Sequence, residues 1–128
     1  MNRSCYFWFL LFLFATNFGF SQLSDLHYLP PLRQSQNNAA IQEQGVYLST
    51  PETTAFLINV YRGANPTPII TFNISKASPA VYDPGDGNNN ITLVDDANTG
   101  VVLTNSGLRF ESPGGQNFYV NYRGQSTS

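Results

Sequence analysis

The sequence predicts an all-β domain of antiparallel, β-sandwich-like architecture, carried behind an N-terminal signal peptide. Three observations predict it. Short runs of β-branched and aromatic residues alternate with a period of two. Clusters of Gly, Pro and Asn separate those runs at near-regular spacing. No amphipathic stretch of about a dozen residues competes as a helix.

The leader comes first. Cys5 to Ala15 is an unbroken apolar run, preceded by Arg3 and followed by Gly19-Phe20-Ser21. As a helix such a run rises about 16 Å, roughly half of what a spanning helix must cross. A positive start, a short apolar core and a small-residue exit are the parts of a secretory signal peptide, which places residues 1–21 in the leader. Export to the cell surface or the medium is the expected destination, with no membrane insertion once the leader is removed.

Residues 22–44 read as an extended, irregular lead-in, and residues 45–128 as the β-sandwich domain. Within the lead-in, Tyr28-Leu29-Pro30-Pro31-Leu32 is extended, because proline fixes its own φ and pushes its predecessor toward β or polyproline II. Ala39 to Glu43 is read as one helical turn. Val46 to Thr50 alternates and stops at Pro51. Thr53 to Arg62 is the strongest strand, with Phe56, Ile58 and Val60 on one face and Leu57, Asn59 and Tyr61 on the other. Apolar residues on both faces mark it as a central strand.

After the turn cluster Gly63-Ala64-Asn65-Pro66, Ile70, Phe72 and Ile74 share a face. Ala80 to Tyr82, Ile91 to Val94, Val101 to Thr104 and Leu108 to Glu111 read as further short strands. Asp95 to Gly100 and Ser112 to Gln116 read as hairpin turns. Phe118, Val120 and Tyr122 then alternate with Tyr119, Asn121 and Arg123. The sequence stops soon after this strand, at Ser128, so we expect the front piece of a longer protein.

Six Lys and Arg stand against eight Asp and Glu, and the basic residues are scattered singly. Nucleic-acid binding and attachment to an anionic membrane surface both need clustered positive charge, so neither is expected. The single Cys, Cys5, leaves with the leader, so the exported body has no disulfide. Small secreted eukaryotic domains lean on disulfides. A Cys-free exported β-domain fits a bacterial envelope or surface protein better.

No catalytic constellation emerges. His27 is the sole histidine, which leaves a triad or a histidine-bearing zinc site without partners; it reads as a polar structural residue. Asp95 and Asp96 are neighbours, and in a strand would point to opposite faces. The sharpest metal candidate is the loop from Asp83 to Asn90, whose Asp83, Asp86, Asn88 and Asn90 offer the hard oxygen ligands that calcium takes. Ile91 stands where a calcium loop needs glycine, and Ala97 where it needs a bidentate Glu, so a plain turn is the preferred reading. Tyr119 lies opposite the core-facing trio and reads as cover for a neighbouring strand or second sheet, with sugar stacking as the functional alternative.

The order of segments resembles a known family. His27 to Leu32, Asn38-Ala39, Gln42 to Pro51, Gly107 to Glu111 and Phe118 to Arg123 together look like the start of the bacterial relatives of the IgGFc-binding protein N-terminal domain. In Bacteroidetes such proteins are often large surface proteins ending in a gliding-motility-type module read by the type IX secretion system. The family supplies no catalytic residues to carry over. The resemblance implies an exported adhesion or interaction domain without catalysis, whose partner is an extracellular protein or glycan and which needs no cofactor. The rival readings are the non-catalytic part of a calcium-assisted carbohydrate-active enzyme, and a structural spacer.

Overall fold

The computed structural model describes residues 23–33, 41–87, 89–98 and 100–126. The leader, Asn38-Ala39 and the candidate ligand Asn88 lie outside these residues. Nine strands follow in order: β1 (Leu26–Leu29), β2 (Leu32–Arg33), β3 (Ile41–Ser49), β4 (Phe56–Arg62), β5 (Ile70–Ile74), β6 (Ala80–Tyr82), β7 (Leu93–Val94), β8 (Leu108–Glu111) and β9 (Tyr119–Ser126). A single 3-10 turn, Asp96–Asn98, lies between β7 and β8. No helix among the described residues is long and apolar enough to cross a membrane.

The fold is all-β and sandwich-like. A four-stranded antiparallel sheet in the order β1-β8-β4-β5 packs on a three-stranded antiparallel sheet in the order β6-β3-β9. A small parallel pair, β2 with β7, ties the lead-in to the long loop before β8. The core lies between the sheets. Val46 and Leu48 of β3 and Phe118 beside β9 meet Phe56, Ile58 and Val60 of β4, Ile74 of β5, and Leu108 and Phe110 of β8. Burying each of these side chains is worth about 1.5–3 kcal/mol. Strand alternation is what sends them all to one side.

Two seams close the sandwich. On one side Ser75 and Ser78 bridge to each other, turning the chain from β5 into β6. On the other, Ser24 bridges to Phe118, joining the segment before β1 to the start of β9.

The central position of β4 and the inward trio Phe56, Ile58 and Val60 follow the sequence expectation. Several local expectations do not hold. Ile41 to Glu43 is strand, not a helical turn, because β9 offers pairing partners: Ile41 faces Ser126 and Gln42 faces Gln125. A bulge between Gln42 and Gly45, with Glu43 at φ 49°, then shifts the alternation by one residue. The shift brings both Ile41 and Gln44 to the inner side.

Tyr28, Leu29 and Leu32 are extended as expected, but in paired strands: the first two in β1 of the four-stranded sheet, and Leu32 in β2. Ile91 to Val94 shortens to Leu93–Val94. Val101 to Thr104 is loop rather than strand, since both edges of β8 and β4 are already occupied. Asp95 to Gly100 is no hairpin either. Asp95 caps the 3-10 turn, its Oδ1 accepting from the Ala97 amide at 2.8 Å. Ser112 to Gln116 links the two sheets, because β8 pairs with β1 and β4 whereas β9 pairs with β3.

Candidate binding groove

A groove of about 500 Å³ opens at one end of the four-stranded sheet. One wall is Tyr28-Leu29-Pro30-Pro31, the floor is Gly107 and Leu108, and the far wall is Gly63-Ala64 with Val102 to Thr104. Prolines keep the first wall extended. Glycines permit the close approach of the others. A Cβ on Gly63, which sits at φ +53°, would lie 2.2 Å from the Thr104 carbonyl oxygen. The Gly63 amide donates to the Gly107 carbonyl at 2.9 Å, and the Ala64 amide to that of Thr104 at 2.8 Å.

The rim is what distinguishes this groove. Val102 is 90% exposed and Tyr28 is 70% exposed, the two most exposed large apolar side chains among the described residues. Both line it. Arg109 is the one charged residue in the lining. Its position follows from register: Tyr28 of β1, Arg109 of β8 and Tyr61 of β4 stand side by side on the outer face. The Arg109 guanidinium lies 4.0 Å from the Tyr61 ring centroid and 3.6 Å from a Glu111 carboxylate oxygen. The Tyr61 hydroxyl oxygen accepts from Nδ2 of Asn59 at 3.3 Å, and the Thr71 hydroxyl donates to Oδ1 of Asn59 at 2.9 Å. A fixed cation and aromatic faces thus border an apolar slot. The Ser106 hydroxyl, also in the lining, is buried with no hydrogen-bond partner.

The sequence-selected candidates lie elsewhere. His27 is half-buried at the Ser24–Phe118 seam. Its Nε2–H donates to the carbonyls of Phe118 at 2.8 Å and Ser24 at 3.1 Å. The loop from Asp83 to Asn90 is organised by a residue outside the candidate ligand set, Asn89. Its Oδ1 accepts from the amides of Ile91 at 2.7 Å and Thr92 at 2.8 Å, while its Nδ2 donates to Gly85 O and Thr92 Oγ1, both at 3.0 Å.

That loop is tied to the interior of the sandwich by a buried polar network. Gln44 donates to the Gly85 carbonyl at 2.9 Å and accepts from the hydroxyls of Thr92 and Tyr122. Burial raises the Tyr122 phenol above its usual pKa, against a smaller lowering from Thr92. Burial also raises Tyr82, with Arg62 lowering it and Asp83 adding to the rise.

Of the oxygen donors considered for calcium, Asp83 accepts from the Gly85 amide at 2.8 Å and the Asp86 side chain is exposed. Asn90 sits at φ 56° with its Oδ1 buried and unpartnered. No group of three or more His, Cys, Asp or Glu that could hold a metal occurs among the described residues. Tyr119 does not face a second sheet: it is 39% exposed on the outer face of the three-stranded sheet.

Sequence reasoning missed the groove. From sequence, Val102 reads as part of a strand and Tyr28 as part of an extended lead-in. The available signal was the punctuation: Pro30-Pro31, Gly63 and Gly107 mark three segments that approach one another closely. Searches of family models, of curated proteins and of solved structures find no match to this chain.

Proposed function

We infer that this protein is an exported, cell-surface or secreted adhesion or interaction domain that acts by contact, without catalysis. One observation carries the reading. The two most exposed large apolar side chains among the described residues, Tyr28 and Val102, rim the same preformed groove. Apolar side chains gathered at a concave site mark surfaces that a partner covers, whereas singly scattered ones carry no such message.

The groove lining contains no carboxylate and no imidazole. Its chemistry suits an extended segment of an extracellular protein, with an apolar or aromatic side chain in the slot and Arg109 at its border. The leader-like residues 1–21 support export, and the resemblance to bacterial relatives of the IgGFc-binding protein N-terminal domain supports a surface role.

Panning a random-peptide phage library against the purified protein tests the reading. The expected result is enrichment of peptides with an apolar or aromatic anchor, whose binding is lost in Tyr28→Ala and Val102→Asp. Both side chains are exposed, so both variants should fold. No enrichment, or binding indifferent to both substitutions, would overturn it.

A further inference from the structure

On the opposite face of the sandwich we propose a second binding site, a stacking platform for a carboxylate-bearing glycan, built from Tyr47, Tyr119, Asn121 and Arg123 on the outer side of the three-stranded sheet. Register assembles it. Val81 of β6, Tyr47 of β3 and Asn121 of β9 form one row across the sheet. Tyr119 stands opposite Ser49, and Arg123 opposite Gly45, on either side of that row. Diagonal neighbours in such a ladder lie about 7–8 Å apart, within reach of one oligosaccharide.

The absent side chain at Gly45 shapes the platform. A Cβ there would lie 3.1 Å from Cε2 of Tyr47 and 3.4 Å from Cγ1 of Val81. The Tyr47 ring therefore lies down along the sheet over Gly45, instead of standing upright. Tyr47 remains 43% exposed and Tyr119 39% exposed. One ring lying along the sheet and a second exposed ring diagonal to it, with a polar side chain in the row between, fit the alternating CH faces and hydroxyls of a pyranose chain.

Arg123 decides the ligand's charge. Its guanidinium lies 5.2 Å from the Tyr47 ring centroid, and its Nε–H makes a long 3.4 Å contact to the side-chain oxygen of Asn121. Arg33 and Arg109 each have a carboxylate partner within the chain, and Arg62 donates to a backbone carbonyl at 2.7 Å. Among the described residues no carboxylate pairs with Arg123. Its fork of N–H donors, held over the Tyr47 ring, matches a sugar carboxylate bidentately.

Affinity gel electrophoresis of the purified full chain tests this, with polygalacturonic acid in one gel and neutral dextran in another. Retardation is expected in polygalacturonate and not in dextran. Tyr47→Ala and Tyr119→Ala should each weaken binding about tenfold. Tyr47→Phe and Tyr119→Phe, which keep the rings, should retain it, and Arg123→Gln should abolish the preference for the acidic polymer. The groove variant Tyr28→Ala should bind the glycan normally, which separates this site from the groove. Circular dichroism and melting of each variant report its folding. No retardation by polygalacturonate, equal retardation by both polymers, or retardation that survives both alanine variants would overturn the proposal.

Discussion

The His27 ring meets the Phe118 ring edge-on, with centroids 4.7 Å apart and planes inclined at 62°. The same histidine donates its Nε2–H to the Phe118 carbonyl, so one side chain both packs against and hydrogen-bonds a residue 91 positions away. This pair holds the seam where the segment before β1 meets β9. Its removal by His27→Ala is expected to cost about 1–3 kcal/mol, from the lost ring contact and the two lost side-chain hydrogen bonds, although the Phe118 and Ser24 carbonyls keep each other's backbone amides. Urea unfolding measures it. His27→Phe should recover the ring contact but not the hydrogen bonds, and should fall between the two.

Gly63→Ala is expected to be more disruptive than an exposed turn substitution. The new Cβ would meet backbone, the Thr104 carbonyl at 2.2 Å, in a residue already at φ +53°. Strain of this kind costs about 1–3 kcal/mol. A control at Gly115, also at positive φ but with nothing near its Cβ, isolates the steric part. Thermal melting of both variants should show a clearly larger loss for Gly63→Ala.

The raised phenols of Tyr122 and Tyr82 make a prediction about alkaline pH. A folded-state pKa above the unfolded value of about 10 means that the native state holds the proton more tightly. The resulting stability is fully present below about pH 10 and is lost as pH rises through the higher folded-state values. Tyr122→Phe should flatten this alkaline fall. It should also cost about 1 kcal/mol at neutral pH, through its hydrogen bond to Gln44. Denaturant titrations on either side of pH 10 read both effects.

Asn89→Ala should destabilise the loop from Asp83 to Asn90 by about 1–3 kcal/mol, because the Ile91 and Thr92 amides both lose their acceptor, while the Gly85 carbonyl and the Thr92 hydroxyl keep Gln44. Roughly millimolar calcium should leave the melting temperature of the unmodified protein unchanged, since the loop is organised by its own amide. A calcium-dependent rise, abolished by Asp83→Asn with Asp86→Asn, would instead assign the loop to the metal.

The core was legible because strand alternation is a local property. Phe56, Ile58 and Val60, and likewise Phe118 and Val120, could be assigned to one face from spacing alone. The groove was not legible, because its walls come from Tyr28, Gly63 and Val102, which are far apart in the chain. Val101 to Thr104 has the composition of a strand, yet β8, the strand that follows it, already has a partner on each edge. Ile41 to Glu43 carried no strong strand signal and became one because β9 supplied partners.

Composition and period-two patterning alone determined that this chain builds β-sheets with a buried face, since each strand's inner residues are set by its own alternation. They also selected β4 as central, because it is apolar on both sides. Tertiary structure decided which strands pair and what the outer faces carry. It brought Tyr28 to Arg109 and Tyr61, laid Tyr47 over Gly45, and through the bulge at Glu43 turned Ile41 to the same side as Gln44. Those outcomes depend on register between distant segments, and a one-residue change in register moves every side chain to the other face.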